Sequence, residues 1–168
     1  MTRKMAERSY YIIKQVTTAD DLNATIQLFK AYTLSLNIDL TFQDFDTELS
    51  SMPGKYSRPA GSLLLARSTA TREPVGCVGV RPTTSNGVCE MKRLYVAPEG
   101  RGMGLGKALI DAAIKEALHI GYARMRLDTL PTMAAAVNLY KKNGFVQIEA
   151  YYHTPLVGTM FFERILAK

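Results

Sequence analysis

From Glu90 to Lys107 the chain reads Glu-Met-Lys-Arg-Leu-Tyr-Val-Ala-Pro-Glu-Gly-Arg-Gly-Met-Gly-Leu-Gly-Lys, a strand-like run passing into a turn with glycines at 102, 104 and 106. Glycines let a backbone approach a phosphate closely and turn successive N–H groups toward it. The spacing of Leu105, Leu109 and Ala112 predicts that a helix opens directly after this turn. The unpaired amides and positive dipole end of such a helix favour an anion. Pyrophosphate is therefore the expected guest. A Walker A loop would need glycine where Arg101 stands and Ser or Thr where Ala108 stands, so the magnesium-binding hydroxyl is missing. A GxGxxG dinucleotide fingerprint also fails, because its last position falls on Lys107 or on Leu109.

Charge agrees with a local phosphate site. The net charge of +6 favours a polyanionic partner. The dense basic cluster from Arg101 to Lys107 coincides with the glycines, whereas a nucleic-acid module would carry a long basic stripe interleaved with aromatics. No nucleic-acid or membrane partner is expected. No apolar run approaches the roughly 20 residues of a membrane span, and the basic start from Met1 to Arg8 lacks a hydrophobic segment. Cys77 and Cys89 lie in apolar runs without CxxC spacing, which predicts packed thiols in a cytoplasmic protein and no metal site.

The elements that must position the loop follow from periodicity. Tyr10 to Val16 reads as a strand ending at a Thr18/Asp21 helix cap. Leu22, Ile26, Phe29 and Leu36 then mark a helical face, and a second short helix runs from Thr41 through Phe42, Phe45 and Leu49 to Pro53-Gly54. Short apolar runs at 63–66, 75–80 and 88–96 predict an antiparallel meander. After the glycine turn, a helix ending before Gly121 and a strand from Arg124 to Thr129 imply a parallel crossover. A helix over 133–142 stops at Asn143-Gly144, and strands over 145–149 and 159–166 complete a mixed α/β fold. With 168 residues and 47% hydrophobic content, the chain is expected to be one domain over 1–168, with 1–9 a flexible lead-in.

Arg101-Gly-Met-Gly104-Leu-Gly106 resembles the (Arg/Gln)-x-x-Gly-x-(Gly/Ala) acetyl-CoA signature of the GNAT acetyltransferases, and the strand ending Leu94-Tyr95-Val96 precedes it as in that family. Ala136-Val-Asn138-Leu-Tyr140 closed by Gly144-Phe145 resembles the family's second cofactor motif. The resemblance covers nearly the whole chain. It implies a mostly antiparallel central sheet flanked by helices, in the order β1-α1-α2-β2-β3-β4-α3-β5-α4-β6-β7. It also implies an N-acetyltransferase that moves acetyl from acetyl-CoA to an amine, as a monomer or homodimer. The cofactor would be held by Leu94, Tyr95 and Val96 through backbone and packing, by Arg101, Gly102, Met103, Gly104, Leu105, Gly106 and Lys107 at the pyrophosphate, and by Asn138 and Tyr140.

Amide formation from a thioester must remove a proton from the amine, stabilise charge on the carbonyl oxygen and release a thiolate. An amine of pKa about 10.4 is neutral in roughly one molecule in a thousand at pH 7, which adds on the order of 4 to 5 kcal/mol unless a base helps. Glu90 is the first candidate base, directly or through water, with a solvated partner of Lys92 or Arg93 as its bland reading. Asp128 is the second, with a loop cap as its bland reading. The resemblance gives Tyr140 the part of general acid and a backbone N–H near Leu94 the part of oxyanion donor. The acceptor wall draws on Phe42, Phe45, Tyr56, Tyr151, Tyr152 and His153. Those aromatics beside Asp39, Asp44 and Asp46 suggest a compact cationic or amphipathic small-molecule amine. A protein lysine or N-terminal acetyltransferase and a non-catalytic acyl-CoA-binding module are the alternatives.

Overall fold

Burial that alternates residue by residue makes Tyr11–Gln15 an edge strand, β1, with one face on the core. This computed structural model describes residues 9–38 and 44–166. Thr18 then caps helix α1 (Ala19–Leu36) by accepting from Asp21 N–H at 3.2 Å, as the Thr18/Asp21 pair predicts. Its buried face centres on Thr25, Leu28 and Phe29, one step round the helix from the expected Ile26. A short helix α2 (Phe45–Ser50) follows, and the expected contributions of Asp39, Thr41 and Phe42 lie outside the described residues.

Strands β2 (Ser62–Ser68), β3 (Pro74–Pro82) and β4 (Val88–Val96) form the antiparallel meander. Helix α3 (Leu105–Ile120) crosses to β5 (Arg124–Thr129), which pairs parallel with β4, and ends on Gly121 at φ +111°. Helix α4 (Ala134–Lys142), β6 (Val146–Ile148) and β7 (Met160–Ile165) complete a seven-stranded sheet ordered β1-β2-β3-β4-β5-β7-β6. Among the described residues only the β4–β5 pairing is parallel. The mixed, mostly antiparallel α/β fold and its element order are those expected.

The sheet carries a hydrophobic core on each face. Leu64 and Ala66 point toward α3 and α4, where Leu105, Leu109, Ile110 and Ala113 meet Val78, Met91, Leu127 and Phe162. The alternate residues Leu63 and Leu65 point toward α1 and α2, where Phe29, Phe45 and Tyr56 close the other side. The two cysteines fall in opposite cores, Cys77 beneath α1 and Cys89 beneath α3, both fully buried as free thiols. Among the described residues no helix is long and apolar enough to cross a membrane.

Tyr56 seats this second core on β3, because Gly79 offers no side chain beneath its ring. A Cβ at Gly79 would stand 2.5 Å from Tyr56 Cε1. The Tyr56 hydroxyl meanwhile donates to Glu48 Oε1 at 3.0 Å, so the ring cannot shift without disturbing α2. Gly79→Ala is therefore expected to destabilise the fold by about 1–3 kcal/mol, as overpacking of a dense core does. Urea denaturation should show a lower midpoint with an unchanged slope; an unchanged midpoint would mean that Tyr56 moves freely.

Candidate active site

The parallel ladder between β4 and β5 is short. Val88 pairs with Arg124, Cys89 with Met125 and Glu90 with Arg126, and there it ends. Beyond that rung β4 runs on from Met91 to Val96 and β5 from Leu127 to Thr129 with no strand hydrogen bonding between them. A bulge sharpens the split. Arg93 and Leu94 together oppose Val78 of β3, since Lys92 pairs with Gly79 and Tyr95 with Cys77, and Arg93 takes φ +58°. The extra residue shifts the alternation by one, so Met91 and Leu94 share the α3 core, while Lys92 and Arg93 both turn toward α1 and α2. Leu94 and Val96 thus face away from Tyr95, as expected.

A cleft fills the split. Its walls are Lys92 to Leu94 from β4, Asp128 and Thr129 from β5, Tyr140 from α4 and Tyr32 from α1, with Tyr152 and Leu156 of the β6–β7 connection across the top. It holds about 40 Å³, room for a few waters. Lys92 and Tyr152 also line a second, wider basin of about 530 Å³ with Glu90, Arg81, Arg126 and Tyr151. The cleft and the basin are therefore neighbours through two shared side chains.

Glu90 stands at the point where the strands part, and it is 5% exposed. Its Oε1 accepts from Arg81 Nε at 2.9 Å, and its Oε2 accepts from the Tyr151 hydroxyl at 2.6 Å. Burial works to raise its pKa, but the charges of Lys92 and Arg81 and the hydrogen bonds from Tyr151 and Arg81 outweigh it and hold the carboxyl below its ordinary value. The Tyr151 phenol is pushed the other way, by burial and by the Glu90 anion. Glu48 binds the same network from α2, accepting from Arg81 Nη1 at 3.4 Å and from Arg93 Nε at 3.0 Å. Asp128 lies beside Lys92 Nζ at 3.6 Å and accepts from the Tyr152 hydroxyl. Burial pulls the Lys92 ammonium below its usual pKa, against the pull of Asp128 and Glu90.

The glycine loop sits where β4 ends. Gly102 and Gly104 have φ of +79° and +70°, and a Cβ on either would meet nothing within 4 Å, so their outer face is open. Gly104 is the N-terminal residue flanking α3, whose first-turn amides have no acceptor within the helix. Gly106 is different, since a Cβ there would lie 3.0 Å from Leu139 of α4 and push the two helices apart. Arg101 is exposed with Nε 3.4 Å from the Val96 carbonyl, and Lys107 pairs with Asp111 at 2.7 Å. Open amides, glycines without side-chain obstruction and flanking cations fit a pyrophosphate. On α4, Asn138 is exposed, while Tyr140 is buried against Phe145 and Phe162 and reaches the cleft wall. Burial pushes the Tyr140 phenol well above its usual pKa, so it stays protonated.

Several readings of the sequence change with the fold in view. Glu90 is not a solvated carboxylate; it is buried, its ion pair is with Arg81, and the Lys92 charge acts on it as well. Asp128 does not cap the loop after β5 but faces Lys92 and Tyr152 across the split. Phe45 and Tyr56 belong to the core, Phe45 lying under the Arg93 guanidinium at 5.1 Å. Tyr151, Tyr152 and His153 do line the basin. Asp46 on α2 and Asp44 at its N-terminal flank are exposed, and Asp44 borders a separate depression. Lys92, Arg81, Glu48 and Arg126 were missed by sequence reasoning. The signal for Lys92 was present, because a Glu, Lys and Arg at 90, 92 and 93 inside a buried strand demand partners.

A split parallel pair beside a glycine-capped helix, in a mostly antiparallel sheet, defines a class of acyl-CoA-dependent acyltransferase. The acetyltransferase (GNAT) family model matches residues 22–145. An uncharacterized N-acetyltransferase of Schizosaccharomyces pombe is 40% identical over 164 residues, covering 98% of this chain and 100% of that protein. One of Dictyostelium discoideum is 30% identical, covering 94% of this chain and 100% of its own length. A solved Klebsiella pneumoniae structure, provisionally assigned as an acyl-CoA N-acyltransferase, superposes with TM-score 0.74 at 28% identity, covering 95% of this chain and 100% of its own. The chain belongs to the acetyltransferase (GNAT) family and is an acyltransferase.

Arg81 is the cation shared by the buried Glu90 and the partly buried Glu48, and its removal tests how much the network holds. Glu90, with its pKa lowered in the fold, contributes stability that is present above its unfolded pKa and lost as pH falls through its folded pKa. Arg81→Met should lower the unfolding free energy at pH 7 by about 1–3 kcal/mol, the usual cost of taking one hydrogen-bond partner from a buried charged group that keeps its others. The deficit should shrink as pH falls from about 4, an ordinary carboxyl pKa, through the lower folded pKa of Glu90. Equal deficits at pH 7 and pH 3.5 would show that Arg81 acts by packing alone.

Proposed function

We propose that this enzyme transfers the acetyl group of acetyl-CoA to the primary amine of a small molecule, by direct attack while both substrates are bound. The observation that carries this reading is the split of β4 from β5, which runs from a wide basin at Glu90 toward the open glycine loop at Arg101. Donor and acceptor can thus approach one point from opposite ends. The donor supplies an activated thioester carbonyl and a thiolate leaving group.

The chain's own residues divide the remaining work. The amides from Gly102 to Lys107, with the Arg101 side chain, cradle the pyrophosphate, and Gly102 and Gly104 leave its approach clear. The backbone from Leu94 to Val96, free of β5, can hydrogen-bond the pantetheine chain and offer an N–H to the carbonyl oxygen. Asn138, exposed on α4, donates to the cofactor from the side. Tyr140 holds its proton in the cleft and gives it to the departing thiolate. Its raised pKa does not disqualify it, because burial raises a thiol too, as it does for Cys77. Glu90 receives the amine proton directly or through water in the basin; Asp128, closer to Tyr140 along the cleft, is the alternative acceptor.

Release of free thiol from acetyl-CoA across a library of amines tests the whole reading. Release with at least one small amine supports it. A thermal shift with acetyl-CoA but no release with any acceptor indicates a binding module, and acetylation of peptides alone indicates a protein-modifying enzyme. Tyr140→Phe should lower turnover by about ten- to a thousandfold while acetyl-CoA affinity changes far less, since the hydroxyl matters as the thiolate leaves. Unchanged turnover would remove Tyr140 from the chemistry. For Glu90, the lowered pKa means that its carboxylate is already ionised across the neutral range. The rising limb of the wild-type pH profile should therefore follow the amine. Glu90→Gln should lose most rate near pH 7 and recover toward pH 9–10, where more amine is neutral. A uniform loss at every pH would mark Glu90 as a positioning residue.

A further inference from the structure

The basin beside the cleft is lined by cations. Lys55, Arg81, Lys92 and Arg126 face it, and among its described lining residues Glu90 is the one carboxylate. Most of these charges are answered from behind, by Glu48, Asp128 and Glu163, but not evenly. Arg126 and Arg124 share Glu163, at 2.7 and 3.1 Å, so two guanidinium groups are set against one carboxylate. Arg126 spends its Nε on that bond while its guanidinium lies over the Tyr151 ring at 5.4 Å, on the basin wall. Lys55 is exposed, lines the same basin and has no carboxylate within 4 Å among the described residues. Thr84 and Ser85 add hydroxyls to the lining. A concave surface with surplus positive charge and hydroxyl donors selects against a cationic occupant and holds an anionic one.

The position of this charge relative to the cleft sets the shape of that occupant. An acceptor amine must reach the cleft past Lys92 and Tyr152, the two side chains common to both cavities. Arg126 lies two residues before Asp128 on β5, about 6.6 Å back along the strand. An amine poised at the cleft would thus have its anion several bonds away, not on the adjacent atom.

We infer that the acceptor is an amine bearing a carboxylate or phosphate at the far end of a short chain, with Lys55 and Arg126 binding that anion. The inference rests on the acetyl-transfer reading above and stands in place of the compact cationic or amphipathic amine that the aromatics beside Asp39, Asp44 and Asp46 suggested. Matched acceptors separate the possibilities: 4-aminobutyrate against its amide, O-phosphoethanolamine against ethanolamine, and spermidine as a cation, each assayed by thiol release from acetyl-CoA. At least one anionic amine should exceed its neutral partner tenfold or more in kcat/KM, and the pair that does so distinguishes carboxylate from phosphate. Lys55→Ala and Arg126→Gln should each cut that preference at least fivefold, mainly through KM, with the acetyl-CoA thermal shift reporting that the fold is intact. Neutral amines or spermidine acetylated as well as the anionic ones would overturn the inference and leave acetyl transfer standing. A preference that survives both substitutions would also overturn it. Thiol release with none of these amines or any other would instead refute the acetyl-transfer reading, and this inference with it.

Discussion

The structure turns on a ladder that stops. Buried backbone N–H and C=O groups need partners, and a β-strand inside a sheet ordinarily finds them on both sides. Past Glu90 and Arg126, β4 and β5 give up that pairing while both remain in the middle of a seven-stranded sheet. β3 still pairs with β4, and β7 with β5, so each strand is held from its outer side while the inner side faces the cleft. A ligand that can hydrogen-bond along a strand edge is the natural complement to that inner side.

The bulge at Arg93 makes the split compatible with two cores. Without an extra residue, Met91 and Arg93 would fall on one face, and a guanidinium would enter the apolar layer beneath α3. With it, Lys92 and Arg93 turn together toward α1 and α2, where Glu48 and Asp128 meet them. Buried ion pairs of this kind contribute little net stability, because desolvation offsets most of the Coulomb gain. Their value here is positional. Arg81 joins Glu48 of α2 to Glu90 of β4, and the hydroxyls of Tyr151 and Tyr152 tie the β6–β7 connection to Glu90 and Asp128. The walls of the cleft and basin are thereby fixed to one another by charge and not by packing alone.

That arrangement also separates the tasks of the glycines. Gly102 and Gly104 hold backbone angles that side chains rarely adopt and leave the loop's outer face clear, whereas Gly106 and Gly79 make room for Leu139 and Tyr56. One residue type thus serves ligand approach in one place and core packing in another, and only the surroundings tell which.

Much was legible in the sequence because its signals are local. The apolar run at 63–66, the Thr18 cap, the Gly121 stop and the glycine run each depend on residues within a turn or two, so the element order and the glycine turn could be read directly. The helix carrying Asn138 and Tyr140 was legible, while the roles proposed for those two residues came from the family resemblance. The partners of the charged residues were not. Glu90 finds Arg81 on β3 and Tyr151 beyond β6, Arg93 finds Glu48 on α2, and Arg126 finds Glu163 on β7. Strand order and register decide those contacts, and a bulge of one residue reverses which face a side chain takes. Sequence by itself therefore determined that this chain builds a mixed α/β fold with a glycine-rich turn opening a helix. Tertiary structure alone decided that the neighbouring basin is basic, because charges scattered along the chain acquire a common field only when folding brings them to one wall.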